Sequence, residues 1–273
     1  MPADQSSSQA IFDRLVAAEF SSLKRLAPEI VEFEHGWAAL NPSLPLVWDA
    51  NFVAVTDPEA TSAQVAGAAD EILGLRGLAH RCIYVCHTDL EAGERLVDGL
   101  TELDRRWETG SEVYMVLSGK TKKHPEEVGR EVTGDELLEA RSELVVESAG
   151  EHHSEESRRQ LLDYEERSAE ALECGWFAAG DPPEGFCQLL DHGNGIAQVE
   201  HVGTMRHSRG KGLASAAVLK AAEESKRRGD EILYVVADAD DWPQHLYGKL
   251  GFAATGRLPS ATLKPPPTSA GTH

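Results

Sequence analysis

A glycine loop lies between an apolar segment and a strongly helical segment in the second half of the chain. Residues 196–202 have the apolar character of a buried strand, and Gly210 and Gly212 follow. Residues 213–228 are rich in helix formers and end in a basic turn before a glycine. Glycine lets a ligand reach the backbone, and the free N–H groups at a helix start favour negative charge. This order predicts a phosphate-binding loop in an α/β fold.

Two common phosphate-binding fingerprints do not fit this loop. A nucleoside-triphosphate loop needs Ser or Thr after Gly-Lys, but Lys211 is followed by Gly212. A dinucleotide-binding loop needs a third glycine at the position of Ser215. Neither fingerprint therefore explains this loop.

Two motifs of the second half occur together in one known family. Residues 209–214 (RGKGLA) fit the pattern Arg/Gln-x-x-Gly-x-Gly/Ala, and residues 246–252 (LYGKLGF) match the ending Leu-Tyr-x-x-Leu-Gly-Phe. In both motifs the chain resembles the GNAT superfamily of acyl-CoA-dependent N-acyltransferases, over residues 133–257. The resemblance implies a mixed, twisted α/β sheet whose middle strands splay apart, with acetyl-CoA (coenzyme A) as the cofactor.

The resemblance also implies which residues contact the cofactor. The backbone of Val202, Gly203 and Thr204 is expected to pair with the pantetheine arm. The pyrophosphate is expected to be held by the Ser215 hydroxyl and by the backbone N–H groups of Arg209, Gly210, Lys211, Gly212, Leu213 and Ala214. Arg206 and Lys211 would add positive charge.

Acyl transfer to an amine needs a base, and two neighbouring residues are candidates. Strand alternation places Glu200 and Val202 on one face and His201 on the other. Family members often carry a Glu or His base nine residues before the position of Arg209, where this chain has Glu200. A half-buried carboxylate there would have its pKa raised towards neutrality. His201 is the rival, although a packed or surface histidine is the more ordinary interpretation.

The leaving thiolate needs an acid, and the resemblance implies that Tyr247 donates this proton. The alternative is a core tyrosine that packs with Leu250 and Phe252. One departure from the family is the absence of an Asn near the start of this helix. Asp241 is expected to cap the helix instead, with Pro243 in its first turn.

The first half repeats the element order of the second half. From residue 51 to residue 117 the pattern is strand, helix, strand, helix, strand, which suggests a diverged tandem duplication. The first copy lacks the glycine loop, and residues 75–79 are interpreted as a helix C-cap and turn. The predicted organisation is a degenerate GNAT-like α/β domain at 1–118, a linker at 119–130, a GNAT acetyltransferase domain at 131–262 and a disordered tail at 263–273.

Composition excludes several classes of function. The formal net charge of −20 at pH 7 argues against a nucleic-acid partner and favours a cationic substrate, although acidity also serves solubility. Neither a membrane span nor a signal peptide is predicted, so a cytoplasmic location is the default. Cys82, Cys86, Cys174 and Cys187 form no Cys-x-x-Cys pair and are interpreted as free thiols, and no metal site is predicted.

These patterns together predict an N-acetyltransferase that moves an acetyl group from acetyl-CoA to a primary amine by direct attack. The acceptor is a small-molecule or peptide amine, and neither its identity, the acyl-chain preference nor the oligomeric state follows from the sequence. The alternative is a non-catalytic acyl-CoA-binding or protein-interaction module. The presence of both Glu200 and Tyr247 favours the enzyme.

Overall fold

The computed structural model describes residues 5–121, 125–149, 154–240 and 242–265. The chain divides into two compact units. Unit 1 comprises Met1–Leu26 and Glu112–Arg257, and unit 2 comprises Ala27–Ser111 and Leu258–His273. Among the described residues, no helix combines the length and the apolar character needed to cross a membrane.

The described residues form seven α-helices and eleven β-strands. In chain order the helices are α1 (Gln5–Leu26), α2 (Ser62–Ile72), α3 (Leu90–Leu103), α4 (Leu138–Ala149), α5 (Glu155–Ala171), α6 (Leu213–Arg228) and α7 (Pro243–Leu250). The strands are β1 (Glu29–Phe33), β2 (Gly36–Leu40), β3 (Phe52–Val55), β4 (Arg81–Val85), β5 (Trp107–Leu117), β6 (Arg130–Val132), β7 (Gly175–Ala179), β8 (Gly185–Gly193), β9 (Ile196–Thr204), β10 (Ile232–Asp238) and β11 (Phe252–Leu263).

Unit 1 is a mixed sheet with helices on both faces. Its strands run in the order β5-β10-β9-β8-β7-β6, and only β10 and β9 pair in parallel. Phe177 of β7 packs in one cluster with α6, whereas its neighbours Trp176 and Ala178 pack in another with Ala140 of α4. Since successive strand residues point to opposite faces, α6 and α4 cover opposite faces of the sheet. The predicted antiparallel arrangement of β7, β8 and β9 is confirmed.

Strand β9 carries a bulge at His201. Glu200 lies opposite Gln188 of β8, and Gly203 lies opposite Phe186. Two β9 residues therefore face a single β8 residue between these pairs, which is the arrangement of a β-bulge. His201 itself has a left-handed φ of 48°.

The bulge overturns the predicted faces of β9. Because an extra residue shifts the alternation, Val202 packs with Val199 in the cluster that α6 covers, and it does not share a face with Glu200. His201 is turned towards α5, where its Nδ1 lies 3.6 Å from a carboxylate oxygen of Glu165. The prediction that Glu200 and Val202 share one face and His201 the other is therefore wrong.

Strands β9 and β10 separate halfway along their length. Their parallel pairing ends at Val199 and Val235. Beyond that point β9 continues to Thr204 against β8, and β10 continues to Asp238 against β5. The splaying that the family resemblance implied is confirmed.

The strands of unit 2 lie in the order β1-β2-β3-β4-β11. Strands β3 and β4 pair in parallel, and the other pairs are antiparallel. Helix α2 connects the parallel pair, and its start is capped by Thr61 in a capping box with Gln64. Gly77, with φ 76°, ends a short helical turn, as predicted for residues 75–79.

The two units are not divided at the predicted domain boundaries. Helix α1 belongs to unit 1 because Phe12 packs edge-on against Tyr114 and Ser22 contacts His192. Arg130 of the predicted linker pairs in β6, and Leu263 of the predicted tail ends β11. Residues 122–124 of that linker and 266–273 of that tail lie outside the described residues.

Gly185 places β8 directly against the start of α6, and its replacement is expected to disturb that contact. A Cβ added at this position would lie 2.8 Å from the backbone N of Ala214. We expect Gly185→Ala to lower the free energy of unfolding by about 1–3 kcal/mol, because neither backbone can yield cheaply. Gly67→Ala is the control: this glycine is exposed in α2 with open space around it, and alanine there should stabilise by up to about 1 kcal/mol. Urea unfolding of both variants measures the difference, and equal stabilities would contradict the close approach.

Candidate active site

A cavity of about 500 Å³ opens in unit 1 where β9 and β10 separate. It contains nine of the ten residues predicted to bind the cofactor, and Lys211 is the exception. The lining residues are Leu144, Val202, Gly203, Thr204, Arg209, Gly210, Gly212, Leu213, Ala214, Ser215, Trp242, Pro243, Leu246 and Tyr247. The structure thus brings together the glycine loop, the end of β9 and the start of α7.

The glycine loop has a backbone that other residues rarely adopt. Gly210 and Gly212 have φ values of 83° and 86°, in the left-handed region. A Cβ at Gly210 would meet no atom within 4 Å, so the space above the loop is open. Helix α6 begins directly after Gly212, and no side chain caps its start. Its first N–H groups can therefore bind an anion.

Glu184, in the turn between β7 and β8, holds the segment that leads into the loop. Its carboxylate accepts hydrogen bonds from Ser208 Oγ and His207 Nε2 at 2.5 and 2.7 Å, and its carbonyl accepts one from the N–H of Met205. The hydrogen bonds from Ser208 and His207 lower the pKa of this carboxyl. Sequence reasoning missed Glu184, because 24 residues separate it from Ser208 and its own turn has no motif.

The basic side chains of the loop are held by neighbours outside the cavity. Lys211 Nζ donates to Ser208 Oγ at 2.9 Å, which explains why Lys211 does not line the cavity. Both terminal nitrogens of Arg209 donate to the carboxylate of Glu147 on α4. The groups of the loop that remain available to an anion are therefore the backbone N–H groups at the start of α6.

Tyr247 lines the cavity from α7, where Pro243 occupies the first turn as predicted. Its side chain is 5% exposed, and its ring packs edge-on against Phe252 at 6.0 Å. Burial, and next the negative charge of Glu200, raise the pKa of this phenol above its usual value, so it keeps its proton at neutral pH. Tyr247 is thus a core residue that also lines the cavity. Asp241, the predicted cap, lies outside the described residues.

Glu200 is held in place by a buried hydrogen-bond chain. Gln198 Nε2 donates to Glu200 Oε2, and Gln198 Oε1 contacts His192 Nε2 at 2.7 Å. Because that amide oxygen can only accept, His192 must donate from Nε2, and its Nδ1 accepts from Ser22 of α1 at 2.8 Å. Burial lowers the pKa of His192, so the ring is neutral, as this arrangement requires. Gln198 therefore orients Glu200.

A second carboxylate, Glu19 of α1, joins this chain. Tyr234 donates to Glu19 Oε2 at 3.1 Å, and its hydroxyl also lies 3.0 Å from Gln198 Oε1. Burial, followed by the negative charges of Glu112 and Glu200, raises the pKa of Glu19 to about 8. A carboxyl with a raised pKa therefore lies at the end of this hydrogen-bond chain, on Glu19. No local motif marks Glu19 or Glu112, since the fold brings them to β9 from remote parts of the chain.

One family model and several solved structures are similar to this chain. Residues 138–252 match the model of the acetyltransferase (GNAT) family. A GCN5-related N-acetyltransferase from Kribbella flavida is 15% identical, with 94% of this chain and 97% of that chain covered and a TM-score of 0.63. Among curated proteins, no sequence matches this chain.

Two further solved structures share the fold. A conserved protein of unknown function from Staphylococcus epidermidis is 14% identical, with 88% of this chain and 95% of that chain covered and a TM-score of 0.67. A tandem GNAT protein from the clavulanic acid biosynthesis pathway is 18% identical, with 86% and 80% covered and a TM-score of 0.53. At such identities the likeness shows the fold alone.

The raised pKa of Glu19 makes stability depend on pH. The unfolded chain releases this proton near pH 4.5, whereas the folded protein keeps it until about pH 8. Folding therefore binds a proton between these values, and stability falls as pH rises through them. Glu19→Gln removes this loss of stability. The melting temperature of the variant minus that of the unsubstituted protein should therefore be larger at pH 8.5 than at pH 5.5. Thermal unfolding at both values tests this.

Asp13→Asn is the matched control for that measurement. Asp13 is an exposed carboxylate on the same helix, and the substitution removes the same charge. Its melting temperature relative to the unsubstituted protein should not change between the two pH values. If the melting-temperature difference for Glu19→Gln is also the same at both pH values, the raised pKa of Glu19 is contradicted.

Proposed function

We propose that this chain moves an acetyl group from acetyl-CoA to a primary amine by direct attack, because residues 138–252 match the model of the acetyltransferase (GNAT) family. One observation carries the proposal. An uncapped helix start and a left-handed glycine loop open into a cavity of about 500 Å³ at the point where two parallel strands separate. This arrangement offers a place for the phosphates, for the thioester arm and for the reacting amine.

The chain's own groups fit coenzyme A at two points. The N–H groups from Gly210 to Ser215 would hold the pyrophosphate at the start of α6. Beyond Val199, β9 pairs with β8 on one side only, which leaves the other backbone edge at residues 202–204 for the amide groups of the pantetheine arm. When bound there, acetyl-CoA supplies an activated acyl group as a thioester.

Glu200 and Tyr247 would carry the proton transfers. The uncharged amine attacks the acyl carbon, and as the C–N bond forms its proton passes to Glu200, which Gln198 holds in position. The C–S bond breaks with its electron pair on sulfur. Tyr247, which burial keeps protonated, donates to that sulfur from the wall of the cavity.

We also propose that the chain arose by duplication of a GNAT domain, with the two copies at 1–118 and 131–262. Both units have three strands followed by a helix, a parallel strand and a second helix. In unit 2 these elements are β1, β2, β3, α2, β4 and α3. In unit 1 they are β7, β8, β9, α6, β10 and α7. Each sheet also takes a strand from the other half of the chain, since residues 112–116 pair with β10 and residues 260–263 pair with β4. The absence of a glycine loop before α2 restricts cofactor binding to unit 1 in this proposal.

The first test is binding of coenzyme A to a loop variant. We expect Gly212→Val to weaken binding about tenfold or more, because valine disfavours φ 86° and its side chain narrows the cradle. Gly229→Val is the matched control, since Gly229 ends the same helix with φ 87° and has open space around it. Both variants carry the same backbone strain, so calorimetry should show a loss of affinity only for Gly212→Val. Equal affinities in the two variants would contradict the loop assignment.

The second test separates the two proton-transfer roles. Tyr247→Phe should leave the dissociation constant for acetyl-CoA within about twofold and slow acetyl transfer about tenfold or more. Glu200→Gln should lower the rate by a similar factor and remove from the pH profile the acidic limb, on which the rate rises as the carboxylate ionises. Thiol release from acetyl-CoA with a panel of amines measures both rates. Binding of acetyl-CoA without turnover of any amine would indicate a non-catalytic binder instead.

A further inference from the structure

We propose that the acceptor amine carries a second positive charge, as a diamine does, and that Glu19 and Glu112 bind this distal ammonium group while Glu200 faces the reacting nitrogen. This inference rests on the proposed acetyl transfer. It names a class of acceptor and two binding residues outside the family motifs.

Three carboxylates from separate elements converge on one side of unit 1. Glu19 lies on α1, Glu112 on β5 and Glu200 on β9. The negative charges of Glu112 and Glu200 both act on Glu19 strongly enough to oppose its ionisation. All three residues are half-buried, and burial is the largest cause of the raised pKa of Glu19. A cationic ligand would relieve this repulsion.

A fully buried amide beside Glu200 provides an independent sign of a ligand. Gln188 is 0% exposed, and in the part of the chain that the structure describes neither atom of its amide has a hydrogen-bond partner. Gln188 lies directly opposite Glu200 in the β8–β9 register, so the two side chains share a face. Burying both polar atoms of an amide unpaired is costly, and an N–H-bearing ligand beside Glu200 would satisfy its oxygen.

The reaction itself separates the roles of the two nitrogens. The attacking nitrogen must lose its proton, so a lone amine would be uncharged at the moment of reaction and would gain little from three carboxylates. A second nitrogen that stays protonated keeps its attraction throughout.

The test compares diaminobutane with butylamine, which have the same carbon chain and differ by one amino group. Each is titrated calorimetrically into the full chain, with and without saturating coenzyme A, at pH 8.5, where most of Glu19 is ionised. We expect diaminobutane to bind about tenfold more tightly or better, and its affinity to fall with added salt. Equal affinities for the two amines, or no binding of either, would overturn the inference.

Variants assign the distal charge to its carboxylates. Glu19→Gln should weaken the binding of diaminobutane about tenfold and leave the affinity for butylamine unchanged. Glu112→Gln provides a second variant if the first folds poorly. Asp13→Asn removes the charge of an exposed carboxylate on the same helix and should leave the affinities for both amines unchanged. An equal loss for both amines in Glu19→Gln and Glu112→Gln would overturn the assignment.

Titration of coenzyme A into the same samples separates this inference from the proposed function. If coenzyme A binds and butylamine is acetylated as efficiently as diaminobutane, acetyl transfer stands and the dication inference fails. If coenzyme A does not bind the unsubstituted protein, the proposed function fails. Selective binding of diaminobutane in that case would still support the carboxylate site.

Discussion

The separation of β9 from β10 is the constraint on which the rest of the site depends. Parallel pairing holds the strands together as far as Val199 and Val235, and then each strand turns to its outer neighbour. The gap exposes a backbone edge of β9, and it lies between the glycine loop and the start of α7.

Much of the fold could be predicted because its signals are local. The tight turns between β7, β8 and β9, the glycine stop of α6 and the left-handed Gly77 each depend on a few adjacent residues. The cofactor loop is equally local, since strand, glycines and helix follow one another within about twenty residues. Short-range patterns of this kind survive whatever the remainder of the chain does.

The rest of the site could not be predicted because it depends on contacts between distant residues. The bulge at His201 has no glycine or other local marker, yet it decides which β9 side chains face the carboxylate cluster. Glu19 reaches Tyr234 across 215 residues of sequence, and nothing near Glu19 distinguishes it from other acidic residues of α1 or its neighbours. The short edge strands β1 and β6 escaped prediction for a related reason, since their pairing partners supply most of the pattern.

The two parallel crossovers show why only one of them is suited to a phosphate. Thr61 caps the start of α2, because its hydroxyl accepts a hydrogen bond from the backbone N–H of Gln64. Caps of this kind stabilise a helix by about 1 kcal/mol. Its approach also carries Asp57 and Glu59, which would repel an anion. Helix α6 forgoes a side-chain cap and begins instead at a left-handed glycine. The N–H groups that α2 satisfies internally remain available in α6, and the stability that a cap would supply can come there from a bound anion.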